Sequence, residues 1–349
     1  MSERDDLLAS IATKVQTYRA GELAAPDAGH VDRWAQQFSA HDQVPFLKEF
    51  DHVIGQTFLT QQMVDQFLQD LVVNEKLAGK DFRSYWRKAN VLNIQKYGQS
   101  QKEMLKLFDI ALQKQCGFGL AGCGSDEGDY IYLDDILFSG SRVATDLEAW
   151  ISEKAPAKAN VQVLLMGLHT GGHYFINSRR LREARENANK DIQFHFWRMV
   201  ELENQKYHKD NSGVLWPTVI PDDPLVKQYV ESEKRFPLAL RNPGGKLNFF
   251  SSEVGRQLLE REFLVAGVKI RSRIQEPKSI MRPLGFGNFG VGFGSPIATY
   301  RNCPNNAPLA VWWGDPKATS GALHWYPLVP RKTYSSPENV FHGLDDLTG

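Results

Sequence analysis

Cysteine is scarce in this sequence. Cys116, Cys123 and Cys303, three in a chain of 349 residues, are odd in number and lack the close paired spacing of a zinc site. They read as small buried hydrophobes rather than a disulfide framework, and metal binding by Cys116 and Cys123 would need histidines from elsewhere. Charge of one sign is also missing, since 41 Lys and Arg balance 41 Asp and Glu. No whole-chain field therefore draws the protein to nucleic acid or to an acidic membrane. Long apolar runs are absent too. The opening MSERDDLLASIATKV is too acidic and too short in apolar run for a signal peptide, and no stretch reaches the length of a spanning helix. A soluble, cytoplasmic protein is expected, with no membrane partner. Internal repeats and low-complexity tracts are lacking as well.

What is present is a change of pattern along the chain. In HVDRWAQQF and LTQQMVDQFLQDLVV apolar residues recur at intervals of three and four, the signature of amphipathic helices, with Thr60 placed to cap the second. From Ala89 the pattern switches to short apolar runs alternating with helical segments: VLNIQ, SQKEMLKLFDIALQ, YIYLDD, VATDLEAWIS, VQVLLMGLH, INSRRLREARENA and IQFHFWRMV. Alternation of this length predicts an α/β fold, a parallel sheet with flanking helices, its strands apolar on both faces. A Pro-rich connector, WPTVIPDDPLVKQYV, follows. The expected organisation is a helical N-terminal region over 1–85, an α/β core over 86–215, an α+β C-terminal extension over 216–334 packing on that core, and a tail over 335–349.

The most informative stretch is YIYLDDILFSGSR, Tyr130 to Arg142. YIYL predicts a strand, Asp134 and Asp135 its carboxyl end, FSGSR a loop, and VATDLEAWIS the helix that follows. Open parallel sheets bind ligands beyond the carboxyl ends of their strands. A small-residue loop opening a helix presents backbone N–H groups in one direction, and the helix dipole adds positive potential there. Gly140 permits close approach, and the Ser139 and Ser141 hydroxyls can donate, so a phosphate monoester fits. Two carboxylates just before such a cradle can accept hydrogen bonds from vicinal hydroxyls, or hold hydrated magnesium between a sugar and a pyrophosphate. Together the parts recognise a ribose 5-phosphate. The plainer alternative, in which the acids merely solvate a strand end, accounts for one acidic residue better than for two.

These residues carry a resemblance. An apolar run followed by Asp-Asp-Ile-Leu-x-Ser-Gly resembles the phosphoribosyl diphosphate (PRPP) signature of the type I phosphoribosyltransferases. The resemblance implies that Asp134 and Asp135 engage the ribose hydroxyls and hold magnesium, directly or through water, and that Phe138, Ser139, Gly140, Ser141 and Arg142 bind the 5-phosphate. Arg142 stands where that family commonly has Thr or Ser; it can pair with phosphate or occupy part of the pocket. NIQKYGQSQ, LHTGGHYF and NCPNNAPLAVWWG, within a span from about Trp34 to Gly314, resemble the phosphoribosyltransferase-like proteins predicted in bacterial conflict systems, including antiphage defence loci and some retron operons. That implies defence-system protein partners and a retron-type nucleoprotein.

Three further segments bear on the site. By the same resemblance, Lys96, Gly98, Ser100 and Gln101 of VLNIQKYGQSQKEML contact pyrophosphate; the alternative is an ordinary turn in which Ser100 caps the helix. His169 ends the next strand, beside the expected phosphate loop, and is either a proton donor or base near neutrality or a hydrogen-bonded structural residue. Gly171 and Gly172 after it imply close backbone approach by a ligand or a neighbouring chain. RPLGFGNFGVGFGSPIATY fails as a dinucleotide motif because no helix signal follows. Its Phe286, Phe289 and Phe293 are placed for core packing or for stacking on a base. SRRLREAR is a solvated face or a nucleic-acid contact, and NCPNNAPLAVWWG a buried strand behind a turn.

Two functions lead on this evidence, with a third, a nucleic-acid-binding component of a retron-like complex, resting on the resemblance and the basic SRRLREAR run. One is a ribosyl-transfer or N-glycosidic-bond-cleaving enzyme, which needs little from side chains beyond orientation and stabilisation of departing pyrophosphate. The other is a non-catalytic nucleotide sensor or assembly module, which Arg142 and the long flanking regions favour. Fold alone does not choose between them, and the oligomeric state stays open.

Overall fold

A computed structural model of the chain describes residues 2–96, 99–288 and 290–332; Gly98, Phe289 and the tail from 335 lie outside the described residues. By contact the chain forms two units. Residues up to Gln61 group with those from Tyr207 onward, and Gln62–Lys206 forms the second unit.

The first unit begins with helices α1 (Glu3–Val15), α2 (Ala28–Ala35) and α3 (Gln43–Thr57) and the short strand β1 (Phe58–Leu59). The second contains α4 (Gln61–Val72), α5 (Glu75–Ala78), α6 (Phe82–Lys88), β2 (Asn90–Val91), α7 (Ser100–Cys116), β3 (Tyr130–Leu137), α8 (Ser141–Glu153), β4 (Lys158–His169), α9 (Thr170–Phe175), α10 (Leu181–Ala188) and β5 (Asp191–Leu202). A π-helical turn, Ile176–Arg180, joins α9 to α10. The chain then returns to the first unit with α11 (Pro224–Ser232), α12 (Glu253–Arg271), β6 (Ala298–Thr299) and α13 (Leu309–Trp312). None of the described helices is long and apolar enough to cross a membrane.

The second unit is a four-stranded sheet in the order β2, β3, β4, β5, parallel throughout. This is the α/β fold that the alternating pattern implies. Tyr132, Val161, Val163 and Leu165 join the α8 stripe Val143, Ala144, Leu147, Trp150 and Ile151 and the α10 residue Leu181 in one core. The central strand β4 is buried continuously from Val161 to His169, as a strand covered on both faces must be.

The first unit pairs β1 with β6 in parallel and shares one apolar core between the N-terminal helices and the C-terminal segment. Trp34 stands at its centre, its ring centroid 4.8 Å from that of Phe50. Glu260 is buried with two arginines, accepting from Arg256 at 2.8 Å and Arg241 at 3.1 Å. Buried charges of this kind persist only when paired.

Some segments differ from expectation. The connector is half helix, because Asp223 caps the N–H groups of Leu225 and Val226 and Pro224 sits at a first-turn position that tolerates it. NAPLAVWWG forms a buried helical turn, α13, instead of a strand; so short an apolar run does not distinguish the two by period. Phe286 and Phe293 are core residues of the first unit, 2% and 5% exposed, the packing role rather than the stacking one.

Candidate functional site

β3 runs farther than expected, through both acids to Leu137, because Ile136 and Leu137 pair with Gly167 and Leu168 of β4. The loop is consequently only Phe138 to Gly140, and α8 begins at Ser141. Successive residues of a strand project to opposite faces, so Asp134 and Asp135 diverge. Asp134 is 3% exposed, whereas Asp135 is half-buried.

Each carboxylate is tied to the strand itself. The Asp135 N–H donates to Asp134 Oδ1 at 2.9 Å, and the Ile136 N–H to Asp135 Oδ1 at 2.7 Å. The Ser100 side chain also hydrogen-bonds Asp134. Burial, reinforced by the neighbouring charge of Asp135, pushes the Asp134 carboxyl up to about 7, against the opposing pull of these hydrogen bonds and of Arg142.

The loop after β3 is exposed at Ser139 and Arg142 and half-buried at Ser141. Gly140 holds φ +78° as the residue before α8, a left-handed conformation that glycine adopts without strain, and no N-cap side chain caps the helix. Ser139 Oγ reaches the Ser141 N–H only at 3.4 Å and the Ser141 hydroxyl at 3.3 Å. The neighbouring helices are better satisfied at their starts. On α7 the Gln101 N–H donates to Gln95 Oε1 at 3.1 Å, and on α9 the Gly171 N–H donates to Asn204 Oδ1 at 2.8 Å. Among these three helix starts, α8 offers its backbone donors most openly to an anion.

The loop between β2 and α7 is built around Gln101, which is fully buried. Its Oε1 accepts from the N–H groups of Ile94 and Gln95, both at 2.8 Å, and its Nε2 donates to the Leu133 carbonyl at 3.2 Å. Gln101 thus fixes the loop against β3. Ser100 is the first residue of α7 rather than its cap; Gln95 Nε2 donates to its hydroxyl at 3.0 Å. Lys96 is exposed, and its backbone N–H donates to Asp146 Oδ1 at 3.4 Å.

His169 is fully buried, with Nδ1 3.3 Å from the Leu137 carbonyl and its ring stacked 4.9 Å from that of Phe138. Burial lowers its pKa to about 3, so the imidazole is neutral near pH 7. Of its two readings, the geometry matches the structural one. The glycines after it pack against the chain's own atoms: a Cβ on Gly172 would stand 1.9 Å from the Phe138 carbonyl oxygen, and one on Gly171 2.9 Å from Asn204 Oδ1.

Two residues went unnoticed in the sequence. Asp146 lies on the apolar stripe of α8, 3% exposed, and an acid at a stripe position was the signal available for it. Asn204 follows β5 and gave no sequence signal. The basic run after α9, by contrast, is compensated. Arg179 pairs with Glu183 at 3.5 Å, Arg180 with Glu148 at 2.5 Å and Arg182 with Glu186 at 3.9 Å, while Arg185 donates to the Ile192 carbonyl.

The structure therefore brings Ser100, Asp134, Asp135 and the Phe138–Arg142 loop to the carboxyl edge of the sheet, with Gln101 and His169 beneath it as supports. Among the described residues no group of three or more His, Cys, Asp or Glu is placed to hold a metal ion. Comparison with curated proteins and with solved structures gives no match. The family model PRTase-CE matches residues 31–331. That span includes the acidic pair and the start of α8, and the chain belongs to the PRTase-CE family, a phosphoribosyltransferase-like family.

Proposed function

We propose that this protein binds PRPP or a related ribose 5-phosphate nucleotide at the carboxyl edge of β3 and breaks the bond at the ribose anomeric carbon. The observation that carries this reading is the open N-terminus of α8, three loop residues beyond the strand that carries the acidic pair, in a chain of a phosphoribosyltransferase-like family. The α8 N–H groups with Ser139, Ser141 and Arg142 hold the 5-phosphate. Asp135, the more accessible acid, meets the ribose hydroxyls, and Asp134 braces it from the buried side.

Magnesium fits this donor set in one particular way. One or two carboxylates without further protein ligands suit an ion that keeps several waters and binds mainly to substrate phosphates. Asp135, with Asp134 behind it, would hold such an ion through water, and the ion would neutralise charge on the departing pyrophosphate. No general base is needed at the start, because departure of pyrophosphate relies on orientation and electrostatic stabilisation. A base, a nucleotide or water then takes the ribosyl group. In an antiphage setting, as the conflict-system resemblance implies, consumption of a nucleotide pool would harm the infected cell.

A second reading, a nucleotide sensor without turnover within a retron-like defence complex, is favoured by Arg142 on the phosphate loop and by the burial of His169. Calorimetric titration with PRPP and magnesium, followed by mass spectrometry for pyrophosphate and altered nucleotides, separates the two. Binding with product supports the enzyme, and binding without product the sensor. Undiminished binding after joint replacement of Asp134 and Asp135 by Asn would refute the site under either reading.

A further inference from the structure

Asp146 has no part in the signature, yet it occupies a junction. Its Oδ2 accepts from the Tyr132 hydroxyl at 3.1 Å and its Oδ1 from the Lys96 backbone N–H at 3.4 Å. Tyr132 lies on β3 two residues before Asp134, and Asp146 lies on α8 one turn after Arg142. Lys96 belongs to the loop before α7. One buried carboxylate thereby ties together the strand with the acidic pair, the helix whose start forms the phosphate cradle, and the neighbouring loop.

Chemistry explains why a carboxylate would be kept there. A buried acid is costly where an apolar residue would complete the stripe of Val143, Ala144, Leu147 and Trp150, unless its hydrogen bonds do something an apolar side chain cannot. Here both oxygens accept from donors on separate elements. Burial holds the Tyr132 phenol well above its usual range, so it stays a donor. An apolar side chain such as leucine would complete the stripe but accept from neither donor, so both bonds would be lost; asparagine can keep both, its amide donating to the Tyr132 oxygen and its oxygen accepting from Lys96.

We infer that Asp146 is a positioning residue that pins the Lys96 loop against α8, setting the distance between the 5-phosphate cradle and the groups that meet the pyrophosphate. This rests on the PRPP reading above, and it adds that pyrophosphate and 5-phosphate recognition are coupled through one side chain. Ribose 5-phosphate, which lacks pyrophosphate, needs only the cradle; PRPP needs both loops at the right separation.

The test compares Asp146→Leu and Tyr132→Phe with the wild type in calorimetric titrations with ribose 5-phosphate and with PRPP, each with magnesium, beside amide hydrogen exchange of the free proteins. The expected result is PRPP affinity lowered about tenfold, the scale of one lost charge-assisted hydrogen bond, with ribose 5-phosphate affinity within about twofold. Exchange at the Lys96 amide should quicken in Asp146→Leu while β3 and β4 amides stay protected. Equal loss for both ligands, or unchanged exchange at Lys96, overturns the inference. If the wild type binds neither ligand, the PRPP reading fails, and the exchange result still decides whether Asp146 pins the loop. Should Asp146→Leu fail to fold, Tyr132→Phe, which removes a single hydroxyl, carries the same comparison of ligands.

Discussion

The carbonyl oxygen of Phe138 lies 1.9 Å from where a Cβ on Gly172 would stand, so the loop after β3 and the helix after β4 meet backbone to backbone. Loop shape at the candidate site is thus set by a residue on a different strand–helix unit. Gly172→Ala should destabilise the protein by about 1–3 kcal/mol, the usual cost of overpacking against atoms that cannot retreat. Gly171→Ala should cost less, because its Cβ would meet the Asn204 side chain at 2.9 Å, which can turn aside. Urea denaturation of both variants checks the order, and a smaller loss in Gly172→Ala would contradict the packing described.

Asp134 makes stability depend on pH in a definite sense. Its carboxyl titrates at about 7 when folded against an ordinary 3.8, so between those values the folded state binds more protons than the unfolded. Stability from this group is present at low pH and is lost as pH rises through that window. At about 1.4 kcal/mol per pKa unit the loss amounts to at most a few kcal/mol. Asp134→Asn should remove this slope, seen as the difference between variant and wild-type urea midpoints from pH 4 to 8.

His169 gives the opposite slope. Its pKa of about 3 when folded lies below the ordinary 6.5, so its contribution is complete above about pH 6.5 and declines as pH falls toward 3. His169→Gln should therefore be less acid-sensitive than the wild type in that interval. If the protein turns over PRPP, the pH profile of the rate should keep its shape in this variant, since a buried neutral imidazole is not the titrating base.

Arg142 is exposed at the start of α8, where it can pair with phosphate. Arg142→Ala is expected to lower affinity for ribose 5-phosphate about tenfold at low salt, the scale of a hydrogen bond to a charged group. The difference should shrink as salt rises, because an exposed pair is screened. A full-strength difference at high salt would mean that Arg142 acts through packing instead.

Much of the fold was readable because its signals are local. Strand and helix periods placed β3, β4, β5, α7 and α8 nearly where they lie, since buried parallel strands and amphipathic helices each impose a period on their own residues. The short elements were not readable. β2 pairs only through Asn90 and Val91, and α13 is one turn of apolar residues, too little chain to show a period. The grouping of the N-terminal helices with the C-terminal segment depends on pairing across more than 200 residues, as between Phe58 and Ala298, which leaves no local trace.

At the site, the order of residues in YIYLDDILFSGSR determined by itself that two carboxylates and an open helix start would stand at the carboxyl edge of a parallel sheet. A strand ending in a small-residue loop before a helix has that geometry whatever surrounds it. Only the tertiary structure decided which acid is buried, that Gln101 and His169 support the site from below, and that Asp146 joins three elements. Burial and hydrogen-bond partnership depend on which segments meet in space, and β3, α8 and the Lys96 loop meet only once the sheet has assembled.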